Sequence, residues 1–404
     1  MLGAALAASA PAASPLAALG GELFRDPSLS ASGRLACATC HDPWHGYGPP
    51  DGKAVQRGGP ELRDAGLRAV PSLRYTLRRT PVWSKQYQAS DVERVVETDS
   101  VPVGGFDWDG RFNTLHEQAA SPLLSPREMA NSSAAEVAAK LARAPYADRF
   151  RAQFGQHIFD NAQAAFDAAL QAIERFELED ASFSPFSSRY DRYLAGFKTL
   201  SAQELRGLNL FNDPATGNCS ACHISAQGAD GSHPLFTDFS FAALGVPRNA
   251  EIPANADPGY FDLGLCGPLR TDLAKERRWC GMFKTPSLRN AAARSVFFHN
   301  GRVHTLRDAV RFYAERDLRP ERWYPPQAAG ATPATKAATT TPAGASGHAA
   351  SVAYDDLPAE LRGNVNHIDV PLDAVRGAPA RLSEADIDDL VAFIATLTDA
   401  DVPH

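Results

Sequence analysis

The sequence contains no run of about 18 apolar residues, so nothing in it reads as a membrane span. A basic excess is also missing. The formal charge is −7, spread along the chain rather than massed in a tail, which argues against nucleic acid as a partner. No Lys or Arg precedes Arg25. The Ala-rich residues 1–19 read either as the end of a secretory signal, with Ala8-Ser9-Ala10 as its cleavage site, or as a flexible leader. Both readings leave them outside the fold. Methionine is scarce, only Met129 and Met282 being internal, and no histidine lies between His45 and His116. What remains is a chain of 404 residues, 44% hydrophobic and 22% charged, long enough for two ordinary domains.

Four of the six cysteines stand in two copies of one motif, Cys37-Ala38-Thr39-Cys40-His41 and Cys219-Ser220-Ala221-Cys222-His223. C-x-x-C-H is the attachment pattern of haem c. Two thiols three positions apart can both add to the vinyl groups of one porphyrin, and the next imidazole then becomes the proximal iron ligand. A zinc half-site or a redox disulfide would use the same cysteines, but two complete copies favour two covalent haems. The other two cysteines, Cys266 and Cys280, read as a disulfide worth about 3 kcal/mol for a loop of that length, with reactive thiols as the alternative. Haem c is assembled outside the cytoplasm, where disulfides persist, so a periplasmic location is expected.

The chain also repeats itself. Gly21-Glu22-Leu23-Phe24-Arg25-Asp26-Pro27 precedes the first motif and Leu208-Asn209-Leu210-Phe211-Asn212-Asp213-Pro214 the second; Pro71-Ser72-Leu73-Arg74 recurs as Pro286-Ser287-Leu288-Arg289. Gly110-Arg111-Phe112-Asn113-Thr114-Leu115 recurs as Gly301-Arg302-Val303-His304-Thr305-Leu306. Thr114 with Glu117, and Thr305 with Asp308, each mark a helix start. Eight residues past each Thr the copies diverge, to Pro122 and Tyr313. Proline offers no ligand atom and tends to end a helix, whereas a tyrosine oxygen can bind haem iron. If that position faces the iron, the first haem is open and the second is capped. Met282 reads as packing rather than a ligand. His299 reads either as a ligand or as a buried histidine bonding a propionate or the backbone.

At these residues, and in FKTPSLRN, FFHNGRVHTL, WDGRFNTLHEQAASPLLSPREM and FYAERDLRPERWYP, the chain resembles the bacterial di-haem cytochrome c peroxidases. The likeness is greatest to their MauG-like, BthA-type branch, and it runs from about Gly20 to Thr398. The resemblance implies proximal ligands His41 and His223, and Tyr313 as the second ligand of the C-terminal haem. It places Trp108 between the haems, and Gln118, Pro122 and Glu128 in the distal pocket of the first. The family also holds calcium between its halves, largely through main-chain oxygens. That site would fall to Arg294 and Val296, where the family has Thr and Pro, and the family's Asn ligand has no match near Tyr75. A surface tryptophan that the MauG protein uses toward its substrate is Gly217 here, so that substrate is not carried over.

The expected architecture is mainly α: two tandem cytochrome c-like haem domains with long loops. Residues 20–185 form the first domain and 186–404 the second, the boundary falling in 182–198. Helices are expected over Ala134–Leu141, Ala162–Phe176, Ser201–Leu210 and Leu382–Leu397, and a disordered insertion over 327–352. The expected activity is oxidation driven by hydrogen peroxide. Peroxide would bind the open haem and be split heterolytically, with Glu128 as acid and base and Gln118 orienting it. The oxidising equivalents would be shared with the His/Tyr haem through Trp108 as two Fe(IV) centres. They would then pass to an electron donor (a small cytochrome or cupredoxin) or to a protein substrate. Trp83, Trp279, Trp323, Tyr324 and Tyr354 are candidate outward relays. The alternative is a non-catalytic di-haem electron-transfer cytochrome.

Overall fold

Ser14 accepts a hydrogen bond from the Ala17 amide and Pro15 takes the first helical position, so the chain enters α1 (Pro15–Arg25) there. The boundary drawn at residue 20 is thereby corrected: Ala17 and Leu19 are buried on the same face as Leu23 and Phe24. The computed structural model describes residues 13–85, 101–324 and 352–403. Of the insertion expected at 327–352, all but Val352 lies outside these residues, as do residues 1–12 of the leader.

The described chain is mainly helical. After α1 come α2 (Cys37–Cys40), α3 (Leu115–Leu124), α4 (Ala134–Leu141), α5 (Ala147–Phe154) and α6 (Ala162–Glu179). The second half holds α7 (Arg189–Leu194), α8 (Ala202–Asn212), α9 (Leu306–Glu315), α10 (Pro320–Trp323) and α11 (Glu384–Ala395). Among the described residues the sheet is limited to two antiparallel pairs. These are β1 (Arg57–Gly58) with β2 (Asp64–Ala65), and β3 (Phe241–Ala242) with β4 (Phe283–Lys284). Capping boxes at Thr114/Glu117 and Ser201/Glu204 start α3 and α8, while Thr305 accepts from the Asp308 amide to start α9. The stretch 182–198 is more than a linker. Ser188 and Asp191 cap α7 within it, and the Tyr190 amide donates to Thr396 O at 2.9 Å beside the end of α11.

Each half builds its core the same way. The helix before the haem motif crosses the last helix of that half, α1 on α6 and α8 on α11. Both crossings are made at a glycine. A Cβ on Gly20 would lie 1.8 Å from Ala172 O and 2.9 Å from Phe176 Cβ; one on Gly207 would lie 2.0 Å from Asp389 O and 2.8 Å from Phe393 Cβ. Gly20 precedes Phe24 by four positions and Gly207 precedes Phe211 by four, so the repeat extends into the contact itself. Phe24 packs on Phe176 and Phe183, and Phe211 on Phe236 and Phe393. Gly207→Ala is therefore expected to push α8 off α11 and destabilise the protein by about 2 kcal/mol or more, read as a lower thermal midpoint. An exposed control, Gly377→Ala, meets no atom within 4 Å but sits at φ 89°, so its smaller cost reflects backbone strain alone.

Candidate functional site

The two motifs are short helical turns that close on their own first cysteine. The His41 amide donates to Cys37 O at 2.9 Å, and the His223 amide to Cys219 O at 2.8 Å. Each turn aims its imidazole at a backbone carbonyl. His41 Nδ1 lies 3.1 Å from Tyr47 O, and His223 Nδ1 lies 2.9 Å from Phe236 O. A carbonyl can only accept, so Nδ1 carries the proton and Nε2 presents its lone pair, the tautomer a metal ligand needs. Burial pushes the His41 pKa down to about 4, and lowers that of His223, so both rings stay neutral near pH 7.

The repeated Pro-Ser-Leu-Arg segment explains itself here. Ser72 Oγ donates to Gly46 O, and Ser287 Oγ to Leu235 O, both at 2.7 Å. These carbonyls belong to the residues just before Tyr47 and Phe236, so each serine fixes the loop that orients its histidine. The Pro71 and Pro286 carbonyls also face the two rings.

Burial pushes Cys37 up to about 12, Cys40 to about 11 and Cys219 to about 12. Cys266 and Cys280 form a disulfide, as expected. Among the described residues, no three His, Cys, Asp or Glu gather into a further metal-holding group.

Above the first motif three polar side chains converge. Gln118 and Pro122 stand four apart on α3, and Gln118 Nε2 donates to Asp107 Oδ1 at 3.1 Å. The helix runs on to Leu124 past Pro122, which forfeits only the bond residue 122 would have given Gln118 O. Pro122 O instead accepts from the Met129 amide at 3.0 Å, folding the next loop back against the helix end. That loop carries Glu128, whose carbonyl accepts from the Gly59 amide at 2.9 Å. A Cβ on Gly58 would lie 2.2 Å from Arg127 O, so glycine is what lets β1 approach. The Glu128 carboxylate is close enough to Cys40 and Cys37 to raise both thiol pKa values. Burial first, and the Asp107 charge second, hold the Glu128 carboxyl above its ordinary range. By accessible surface Glu128 is nonetheless exposed, so water weakens this effect on its carboxyl.

Over the second motif the corresponding helix face offers Tyr313. Its ring lies against Phe298 and Phe312, and the Cys222 and Cys219 sulfurs are near enough to raise its pKa. Burial is the larger cause, and it holds the phenol well above its usual range.

Trp108 sits on the seam between the halves. Its Nε1 donates to Ala69 O at 2.8 Å, and its carbonyl accepts from the Lys284 amide at 2.9 Å. Beside it, buried Arg68 binds Asp109 at 2.8 Å and Asp262 at 2.7 Å. His299 stacks flat on Phe283, with ring centroids 3.5 Å apart, and its Nε2 is buried without a hydrogen bond. Met282 packs against the cluster of Cys266, Leu265 and Trp279.

Three features were not singled out from sequence. Asp107, adjacent to Trp108, adds a second carboxylate above the first motif, also held above its ordinary range by burial. Trp279, Trp323 and Tyr324, named as relays, are buried, whereas Trp44, three residues past His41, is 75% exposed. The side chain of Arg294 fills the region assigned to calcium. Arg294 Nε donates to Val296 O at 3.3 Å, and among the described residues its guanidinium has no carboxylate partner. Calcium takes six to eight oxygens; here one of the two expected oxygens already accepts from a cation. The residues present do not fit calcium.

Residues 14–199 match the family described as di-haem cytochrome c peroxidase. The chain is 34% identical over 397 residues to the methylamine utilization protein MauG of Paracoccus denitrificans, covering 96% of this chain and 90% of that protein. It is 28% identical over 305 residues to the cytochrome c551 peroxidase of Nitrosomonas europaea, covering 74% of this chain and 73% of that protein. The crystal structure of the diheme peroxidase BthA from Burkholderia thailandensis superposes with a TM-score of 0.81 at 38% identity, over 98% of this chain and 88% of that one.

Proposed function

Since the chain belongs to the di-haem cytochrome c peroxidase family, we propose that it is a periplasmic peroxidase of the MauG-like branch, reacting with hydrogen peroxide at its first site only. The observation that carries this is the contrast at one repeated position. The two sites share their proximal geometry, yet Pro122 stands where the second has Tyr313. The residues fit two haems, held by Cys37, Cys40 and His41, and by Cys219, Cys222, His223 and Tyr313. Bound there, the haems would supply the redox chemistry of peroxide reduction.

The chain's own residues do the rest. His41 and His223, neutral and fixed through Nδ1, are the residues whose Nε2 would hold the two haem irons. Glu128, ionised, takes the proton from the peroxide oxygen nearer the first site and returns it to the departing one. The Gln118 amide, held by Asp107, orients peroxide in the cleft. Pro122 keeps the distal side clear because it has no side-chain donor atom. Tyr313, placed over the second motif, would supply a hard oxygen to the second site. Trp108, hydrogen-bonded to residues of both halves, is the aromatic side chain that would couple the two sites. The final electron donor is a small redox protein, or an oxidisable side chain on a protein partner. Among the described residues no helix is long and apolar enough to cross a membrane.

The test is to add hydrogen peroxide to the resting, fully oxidised holoprotein without any reductant. An immediate change in the visible spectrum at one equivalent is expected. An unchanged spectrum would mean a six-coordinate electron-transfer cytochrome instead.

A further inference from the structure

Arg294 is a half-buried cation that, among the described residues, is paired with no carboxylate. It follows a short turn of Ala291–Ala293 in the second half and reaches across to the first. Its Nη2 donates to Val70 O at 2.9 Å and its Nε to Val296 O at 3.3 Å, so one guanidinium ties main-chain oxygens of both halves. Its Nη1 lies beside Gly48, where a Cβ would be 3.2 Å away; glycine leaves the room for it. Val70 adjoins Pro71, whose carbonyl faces His41, and the Arg294 charge is felt at that ring. Among the described residues no carboxylate is paired with it, and loss of water around the guanidinium lowers its pKa to about 10, which leaves it charged near neutrality.

We propose that Arg294 is the permanent cation of this junction, standing where the family keeps calcium, so that the holoprotein joins its halves without a metal ion there. A divalent ion at Val296 O would sit against a guanidinium already aimed at that oxygen, and like charges repel most strongly where water is excluded. The inference rests on the haem reading, since Arg294 lies close enough to the first site for its charge to be felt at His41.

The holoprotein is dialysed against calcium and then against calcium-free buffer; haem and calcium are counted per chain, and electron paramagnetic resonance is recorded with and without EGTA. Two haems, no retained calcium and unchanged signals are expected. Two haems with one retained calcium, or a first-haem signal altered by EGTA, would overturn the proposal and leave the haem reading standing. A chain that does not carry two haems would overturn the haem reading, and this proposal with it. Arg294→Met, which keeps length but loses charge, is expected to shift the first-haem signal and lower the thermal midpoint, while Arg294→Lys shifts both less. A Met variant indistinguishable from the parent would overturn the proposal. Should that variant fail to fold, the chelation arm on the parent decides alone.

Discussion

Glu128→Gln is expected to slow the reaction with hydrogen peroxide by roughly 100- to 10,000-fold, the usual range for removing a positioned general acid–base. The side chain keeps its shape and loses only the capacity to take and return a proton. The pH dependence has a definite sign. Burial and the neighbouring Asp107 hold the Glu128 carboxyl above its ordinary range. The base is therefore lost as the pH falls through a raised pKa, and the parent's rate constant should climb with pH through that point. In the Gln variant that limb should vanish. Because Asp107 and Glu128 influence one another, the measured midpoint belongs to the pair. Stopped-flow rate constants for parent and variant across the acid range check both statements. A Gln variant within about twofold of the parent would remove Glu128 from the chemistry, since even a modest general base contributes more than that.

Tyr313→Phe is expected to disconnect the second site from the reaction while leaving the first able to meet peroxide. The ring packing against Phe298 and Phe312 survives; only the oxygen goes. An anionic oxygen donor favours the higher oxidation state of iron, so its loss should raise the reduction potential of the second haem. If that oxygen supplies as little as about 1.4 kcal/mol of preferential stabilisation, its removal cuts the shared oxidised population about tenfold. Potentiometric titration of the two haems, with the yield of peroxide-oxidised protein, measures both effects. An unchanged second potential would mean that Tyr313 is not a ligand.

What could be read from sequence was whatever is written in short spacings. The Thr114 and Ser201 capping boxes each lie within a few residues and the Cys266–Cys280 loop spans 14, and the structure bears them out. The repeat was legible in the same way, because Pro-Ser-Leu-Arg does one local job twice: Ser72 and Ser287 brace the loops that aim the histidines. Features set by distant partners were not legible. Nothing near Arg294 in sequence indicates that its side chain will bind Val70 O. Asp107 gains a role only when α3 folds over it and brings Gln118 within reach. The start of α1 was missed for a different reason: an Ala-rich leader composition outweighed the Ser14-Pro15 start signal, and only the crossing on α6 makes Leu19 core. Relay residues were chosen by ring chemistry, but exposure is tertiary, and it favours Trp44.

The central claim is a difference in coordination between two otherwise matched sites. Electron paramagnetic resonance of the resting oxidised holoprotein, alongside Tyr313→Phe, tests it most directly. The account predicts one high-spin ferric signal from the first haem and one low-spin signal from the second, with only the low-spin signal displaced in the variant. Two low-spin signals in the parent, both untouched by Tyr313→Phe, would contradict it.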